Sequence, residues 1–464
     1  MSVLDPQHET SGTSTAANIA ARFERLPFTG YQKRLAAVLA TCFMIDGIDL
    51  NMLSFLLAPI SADLGLSKGA AAWAASAGFI GMGVGATCAG LLADRFGRRL
   101  VLVNSMLLWG TASLLTAFAW NLSSFMAFRI LTGIGLGAEL PVAFALLAEF
   151  MPAARRARLT GWVQVAGSTG LVAFNALSLL AVAVAGAVAG WRAMFVVMFV
   201  TALFALYVRR QVPESPRWYA AQGRHDRAEA VMAELEDKVE RASGGPLPEP
   251  VPVAAAQPRQ AAGNLVHELF SRGYARRTLL AWSMWLVIML AFYGITTWTG
   301  KLLVDRGMSV SKSILVGLLI SAAGIPAAWL TGYAMDRIGR KAVLTAALAL
   351  VAVAAFAYGH ASTFALVVLA GAIMQFALVG VATSLYAYTP ELFPTRTRGT
   401  GMGTASTAGR ISAIVGPLLV PVTLLAWGYT GTFLAFACCF VVSALLVLVF
   451  GPESRGRVLE EVSG

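Results

Sequence analysis

Five ionisable residues interrupt long apolar runs: Asp46, Asp49, Arg129, Glu139 and Arg410. A charge in hydrocarbon is costly, so each is a candidate functional group. Asp46 and Asp49 are three residues apart and share a helix face. If the run holding them starts near residue 34, Asp49 lies ~22 Å along it at a helical rise of about 1.5 Å per residue. A run starting near 124 and travelling the opposite way puts Arg129 ~8 Å below the far surface by the same rise. In a hydrocarbon layer roughly 30 Å thick those depths match. A carboxylate facing a guanidinium there can act as a proton switch: the cation keeps the acid ionised, and withdrawing it in a dry site lets the proton on. A permanent structural ion pair is the alternative. Glu139, ten residues further along among small residues, is either a second proton carrier or the partner of a group nearer the membrane end. Arg410 is isolated, with no acid between Gly399 and Val420. Its planar fork matches a carboxylate and cannot discharge itself by deprotonation. The competing reading pairs it with an acid on another helix.

These residues need a frame, and composition supplies it. The 464 residues are 58% hydrophobic and only 13% charged, about half the charge that a water-solvated surface carries. Apolar runs of roughly 20 residues recur along the chain, each long enough to cross a bilayer as a helix. Because the runs are continuously apolar rather than alternating, a β-barrel is excluded. The net charge of +11 sits in short arginine clusters between the runs, as topogenic charges do, and does not indicate nucleic-acid binding. Cys42, Cys88, Cys438 and Cys439 fall inside apolar runs without metal-ligand spacing and read as packing residues. No metal or cofactor is expected.

Twelve spans follow, at 34–60, 70–94, 99–120, 124–149, 158–186, 189–209, 276–303, 312–336, 341–360, 364–390, 399–426 and 429–450. The expected organisation is a disordered cytoplasmic tail (1–30), a six-helix bundle (31–210), a cytoplasmic linker (211–275), a second six-helix bundle (276–451) and a short cytoplasmic tail (452–464). The first 30 residues lack the apolar core of a signal peptide, so the first span should act as an uncleaved anchor. The linker contains an amphipathic helix near Arg224–Arg241 and then a Pro/Ala-rich stretch. Only Lys68, Arg192, Lys301, Arg306 and Lys312 fall on one side of the spans; nearly all other Lys and Arg fall on the side of the termini. The positive-inside rule therefore places both termini in the cytoplasm.

The chain repeats itself. Asp94-Arg95-Phe96-Gly97-Arg98-Arg99 returns as Asp336-Arg337-Ile338-Gly339-Arg340-Lys341, Glu149 with Arg158 returns as Glu391 with Arg398, and Pro213-Glu214-Ser215 returns as Pro452-Glu453-Ser454. The offsets are 242, 242, 240 and 239 residues. With six helices per repeat the halves are parallel copies, and a binding site is expected between them near mid-membrane. The turns need glycine for their backbone, and their charges (Asp94, Arg98, Glu149, Arg158, Asp336, Arg340, Glu391, Arg398) suit a gate that locks the helix ends in one state and frees them in another. Aromatic and polar residues at mid-span complete a candidate binding site: Tyr293, Thr297 and Trp298 in the seventh span, Gln375 and Tyr386 in the tenth, Gln164 and Asn175 in the fifth.

The doubled Asp-Arg-x-Gly-Arg loops, the Pro-Glu-Ser endings and the 6+6 layout resemble the major facilitator superfamily over essentially the whole chain. Arg25-Leu26-Pro27, Asp46-Gly47-Ile48-Asp49 and Gly137-Ala138-Glu139-Leu140-Pro141 resemble bacterial niacin transporters, relatives of aromatic-acid:proton symporters. The resemblance implies an all-α membrane protein of twelve helices in two pseudo-symmetric bundles. It also implies uptake of a small aromatic carboxylate, nicotinate above all, with protons, by a monomer of the inner (plasma) membrane and without enzymatic activity. Asp49 and Arg129 match the proton-coupling pair of sugar porters. An Arg in the eleventh span suits anionic substrates, as in organic-ion transporters. The Gly-Pro of drug antiporters is replaced by Gly167-Ser168-Thr169-Gly170, against drug efflux. The rival reading is a uniporter or exporter of organic cations or sugars on the same fold; a non-transporting sensor lacks a soluble domain of adequate size.

Overall fold

The computed structural model describes residues 18–19, 21–23, 25–150, 153–250, 267–271, 274–393 and 397–452, and leaves some side chains inside helices undescribed, among them Asp46, Glu149, Arg158, Gln164, Asp336 and Arg398. The first four spans are α1 (Gly30–Asp63), α2 (Lys68–Phe96), α3 (Arg98–Ala117) and α4 (Leu122–Phe150). Next comes one continuous run, Ala153–Ala202, broken at Gly186 where φ is 77°. Only glycine adopts that angle at little cost, and it divides the run into α5 (153–185) and α6 (187–202, continued by Phe204–Gln211). The second half follows the same plan: α7 (Ala275–Asp305), α8 (Val310–Ala322 prolonged by Gly324–Ile338), α9 (Arg340–His360) and α10 (Phe364–Glu391). Arg398–Phe450 is broken at Gly428, φ 68°, into α11 (398–427) and α12 (429–450). Among the described residues ten helices are long and apolar enough to cross a membrane; splitting the two broken ones gives the twelve expected spans.

The two halves meet along α1–α7, α2–α11 and α5–α8. At the face opposite the termini they are sealed. A Cβ on Gly300 would lie 2.3 Å from the Ser54 carbonyl oxygen, and one on Gly317 2.4 Å from the Phe55 ring, so closure there requires glycine at both positions. Leu57, Ala71, Ala72 and Ala75 of the first half are buried in the core of the second. Toward the terminal face the cleft is open, and Tyr386 and Ile411 are 55% and 54% exposed. Gly317→Leu is therefore expected to hold the sealed face open. Substrate binding should persist while uptake falls at least about tenfold, because one of the two access states is lost. Labelling of an introduced Ser321→Cys by a membrane-impermeant thiol reagent, faster in the Gly317→Leu background, checks it.

The inner end of the stretch before α1 packs against the rest of the molecule. Ile19, Phe23 and Leu26 are buried in one cluster with Phe150 of α4 and with Met232, Leu235 and Val239 of the linker helix His225–Ser243. Arg22 donates to Glu229 (2.6 Å) and Glu236 (2.9 Å), and Arg25 donates to Glu236 and to the Pro248 carbonyl (2.9 Å). Apolar residues spaced to meet an amphipathic helix, with two arginines to neutralise its acids, explain why this stretch packs. Burial pushes the Glu236 carboxyl up, but the hydrogen bonds from Arg22 and then Arg25 outweigh it and hold it below the usual carboxylate value. A depressed carboxyl contributes stability above its unfolded pKa and loses it as pH falls through the folded value. The strap should stay fastened at neutral pH and release only on acidification below the ordinary Glu range. Glu236→Gln should release it at neutral pH, read as several-fold faster amide exchange in 225–243.

Candidate functional site

Arg129 donates from Nη1 to both carboxylate oxygens of Asp49, at 3.0 and 3.1 Å. Asp49 is fully buried and Arg129 only 4% exposed, so α1 and α4 bring the matched depths together. The guanidinium also lies 5.7 Å from the Phe195 ring centroid and packs against Gly78 of α2. A small cavity borders the pair, lined by Leu53, Gly78, Phe79, Met82, Leu136 and, from α7, Thr297. It has room for about one water molecule. A buried pair with such a cavity can exchange a proton with a water, which a dry pair cannot. Glu139 is fully buried beneath it and accepts a 2.6 Å hydrogen bond from Trp109 Nε1.

Arg410 lies across the cleft on α11. Its Nη1 reaches the Met82 carbonyl oxygen at 3.5 Å, and among the described residues no carboxylate pairs with it. Tyr293 meets the Phe79 ring edge-on at 4.8 Å, and Tyr386 meets Trp285 edge-on at 4.9 Å. Trp285 is itself fixed by its Nε1 donating to Thr389 Oγ1 at 2.9 Å. It packs so closely on α11 that a Cβ at Gly409 would lie 2.6 Å from its ring. The result is a cation on a helix whose neighbours Trp285, Tyr386, Phe79 and Tyr293 form an aromatic wall. This geometry suits a flat anion: the fork takes two oxygens while rings cover the faces.

Other expected ligands go elsewhere. Trp298 is fully buried in the second half, donating to the Pro417 carbonyl oxygen at 3.1 Å. Asn175 is fully buried at the α5–α8 seam, donating to the Leu171 carbonyl (3.1 Å) and Ser321 Oγ (3.4 Å). Gln375 packs beside Gly324 between α10 and α8. Asp46 and Gln164 lie outside the described side chains. Sequence reasoning missed Phe79 and Trp285; the latter is eight residues from Tyr293, about 80° away around α7, so helical register alone does not place the two together.

At the helix ends, Gly97 and Gly339 take φ of 102° and 115°, the angles the tight turns require. Arg98 pairs with Asp94 at 2.9 Å, and Arg340 with Glu391 at 3.3 Å. In the sequence Glu214 of Pro-Glu-Ser marks only the end of the first repeat. In the structure its carboxylate accepts from the backbone N–H of Arg98 (2.9 Å) and Arg99 (3.2 Å), capping α3; a carboxylate at a helix N-terminus is doubly favoured. Trp218 and Gln222 then donate to the Asp94 carbonyl oxygen, each at 2.8 Å. Glu149, Arg158, Asp336 and Arg398 lie outside the described side chains.

Residues 14–464 match the family model described as "Sugar (and other) transporter". The niacin transporter NiaP of Acinetobacter baylyi is 32% identical over 96% of this chain and 99% of its own length. The putative niacin/nicotinamide transporter NiaP of Bacillus subtilis is 30% identical over 92% and 98%, and the 4-hydroxybenzoate transporter PcaK of Pseudomonas aeruginosa is 28% identical over 94% and 96%. In structure, the inward-open xylose transporter XylE of E. coli superposes with a TM-score of 0.73 over 93% of this chain and 99% of that one, at 21% identity. With twelve helical spans, a repeated six-helix plan and this match over nearly its whole length, the chain belongs to the sugar (and other) transporter family of the major facilitator superfamily, whose members are multi-pass membrane transporters and not enzymes.

Proposed function

We propose that the protein takes up a small aromatic carboxylate, nicotinate foremost, together with protons across the inner membrane, with both termini in the cytoplasm. The observation that carries this reading is Arg410: a guanidinium with no acid partner among the described residues, next to Gly409 on which Trp285 packs, with Tyr386 edge-on to Trp285 and Tyr293 edge-on to Phe79. An unpaired cation at that depth is tolerable when it faces water and meets a ligand anion there. The relatives named for niacin and 4-hydroxybenzoate transport carry aromatic carboxylates or their kin, and a ring between Tyr386 and Tyr293 with its carboxylate on Arg410 fits that chemistry.

Coupling then rests on Asp49 and Arg129. With the cleft open to the cytoplasm, Arg129 is hydrogen-bonded to Asp49. When the opposite face opens, an outside proton neutralises Asp49, and substrate and proton cross together by alternating access. The charged turns (Asp94 with Arg98, Arg340 with Glu391, and Glu149, Arg158, Asp336 and Arg398) gate the cytoplasmic ends. Glu139 and Asp46 remain candidates for the proton path. Competition by nicotinate, 4-hydroxybenzoate, nicotinamide, xylose and a quaternary ammonium against labelled nicotinate in proteoliposomes tests the substrate class. Inhibition by the two carboxylates alone supports the proposal; inhibition by xylose or the cation, and not by carboxylates, refutes it.

A further inference from the structure

The cavity beside Asp49 and Arg129 has a wall from the other half of the molecule. Its remaining lining residues come from α1, α2 and α4, whereas Thr297 comes from α7. The neighbouring threonines of that helix turn their hydroxyls back on it, Thr296 to the Phe292 carbonyl and Thr299 to the Ile295 carbonyl, each at 2.8 Å. Thr297 makes no such bond among the described residues, although it is only 5% exposed. A hydroxyl inside the fold gains from a water or ligand that satisfies it, and Thr297 lines the cavity, which has room for about one water. One turn away on the same face, Tyr293 stands against Phe79, and Phe79 also lines the cavity. The α7 face from Tyr293 to Thr297 thus touches both the candidate anion site and the candidate proton site.

We infer that Thr297 is a coupling residue: its hydroxyl, through a water in this cavity, completes the polar surroundings of Asp49 while the outer face is sealed. This rests on the proton reading of Asp49 and assigns Thr297 to the coupling site instead of the substrate. Sealing brings Thr297 over the cavity, and opening the outer face withdraws α7 and with it the hydroxyl, leaving Asp49 open to an outside proton. The position of α7, which the substrate also contacts at Tyr293, therefore sets which protonation state of Asp49 is favoured.

The test compares wild type, Thr297→Val, Thr297→Ser and Asp49→Asn in proteoliposomes, reading nicotinate binding, nicotinate exchange without a gradient, and accumulation driven by an inward proton gradient. Thr297→Val should keep binding and exchange within about twofold while accumulation falls about fivefold, the worth of one hydrogen bond. Thr297→Ser should restore it. Normal accumulation in Thr297→Val beside an uncoupled Asp49→Asn overturns the inference and leaves the proton reading standing. Normal accumulation in Asp49→Asn overturns that reading itself. Loss of binding in Thr297→Val with accumulation scaled to it makes Thr297 a substrate ligand and also overturns the inference. Should Thr297→Val fail to fold, Thr297→Ala carries the same criteria.

Discussion

Arg410→Ala is expected to remove most nicotinate binding, a loss on the order of 2–5 kcal/mol for a desolvated charge pair. Arg410 has no described acid to strand, and its Met82 contact is long at 3.5 Å, so the folded state should lose little. The loss should therefore fall on ligand affinity and not on thermal stability. Arg410→Lys keeps the charge but not the planar fork, and should weaken binding by an intermediate amount. Nicotinamide, the same ring without the carboxylate, should bind wild type weakly and change little in either variant. Calorimetric titration of both ligands against the three proteins reads the difference. Equal losses for the two ligands, or unchanged nicotinate affinity in Arg410→Ala, would make Arg410 structural.

Asp49→Asn should abolish proton-driven accumulation while leaving substrate exchange largely intact, since the amide imitates the protonated acid and cannot cycle. It also leaves Arg129, 4% exposed, without its anion, and breaking a buried pair costs about 3–5 kcal/mol. Some loss of thermal stability is therefore expected with the uncoupling. The double variant Asp49→Asn/Arg129→Gln separates the two effects: stability should recover because no lone charge remains, and coupling should not. Counterflow beside gradient-driven uptake, with melting temperatures for each variant, provides the measurement.

Much of this architecture was legible because membrane constraints write themselves plainly. Twenty-residue apolar runs and arginine-rich turns gave the spans, and equal depth along two antiparallel runs gave the Asp49–Arg129 pair. Helix depth alone does not state azimuth, which is why Trp298 and Asn175, at suitable depths, face the packed interior and the α5–α8 seam. Tyr293 and Trp298, five residues apart, differ by about 140° around α7. The same geometry hid Trp285, which stands about 80° from Tyr293 around α7 and shows its place only through its contacts with Tyr386 and Gly409. Packing at the first residues escaped notice because Ile19, Phe23 and Leu26 find their apolar partners some 200 residues away on an amphipathic linker helix. Glu214 was visible as a motif, but its capping of α3 depends on a turn that brings residue 214 to residue 98.

An aromatic carboxylate and a proton are expected to cross together. Purified protein in proteoliposomes, given nicotinate outside in weakly buffered medium without any imposed gradient, tests it most directly with a pH electrode. With symport the outside medium becomes more alkaline as nicotinate enters, a proton ionophore removes the change, and Asp49→Asn does not produce it. Nicotinate entry with no change in outside pH, at the same rate with or without an imposed proton gradient, would contradict it.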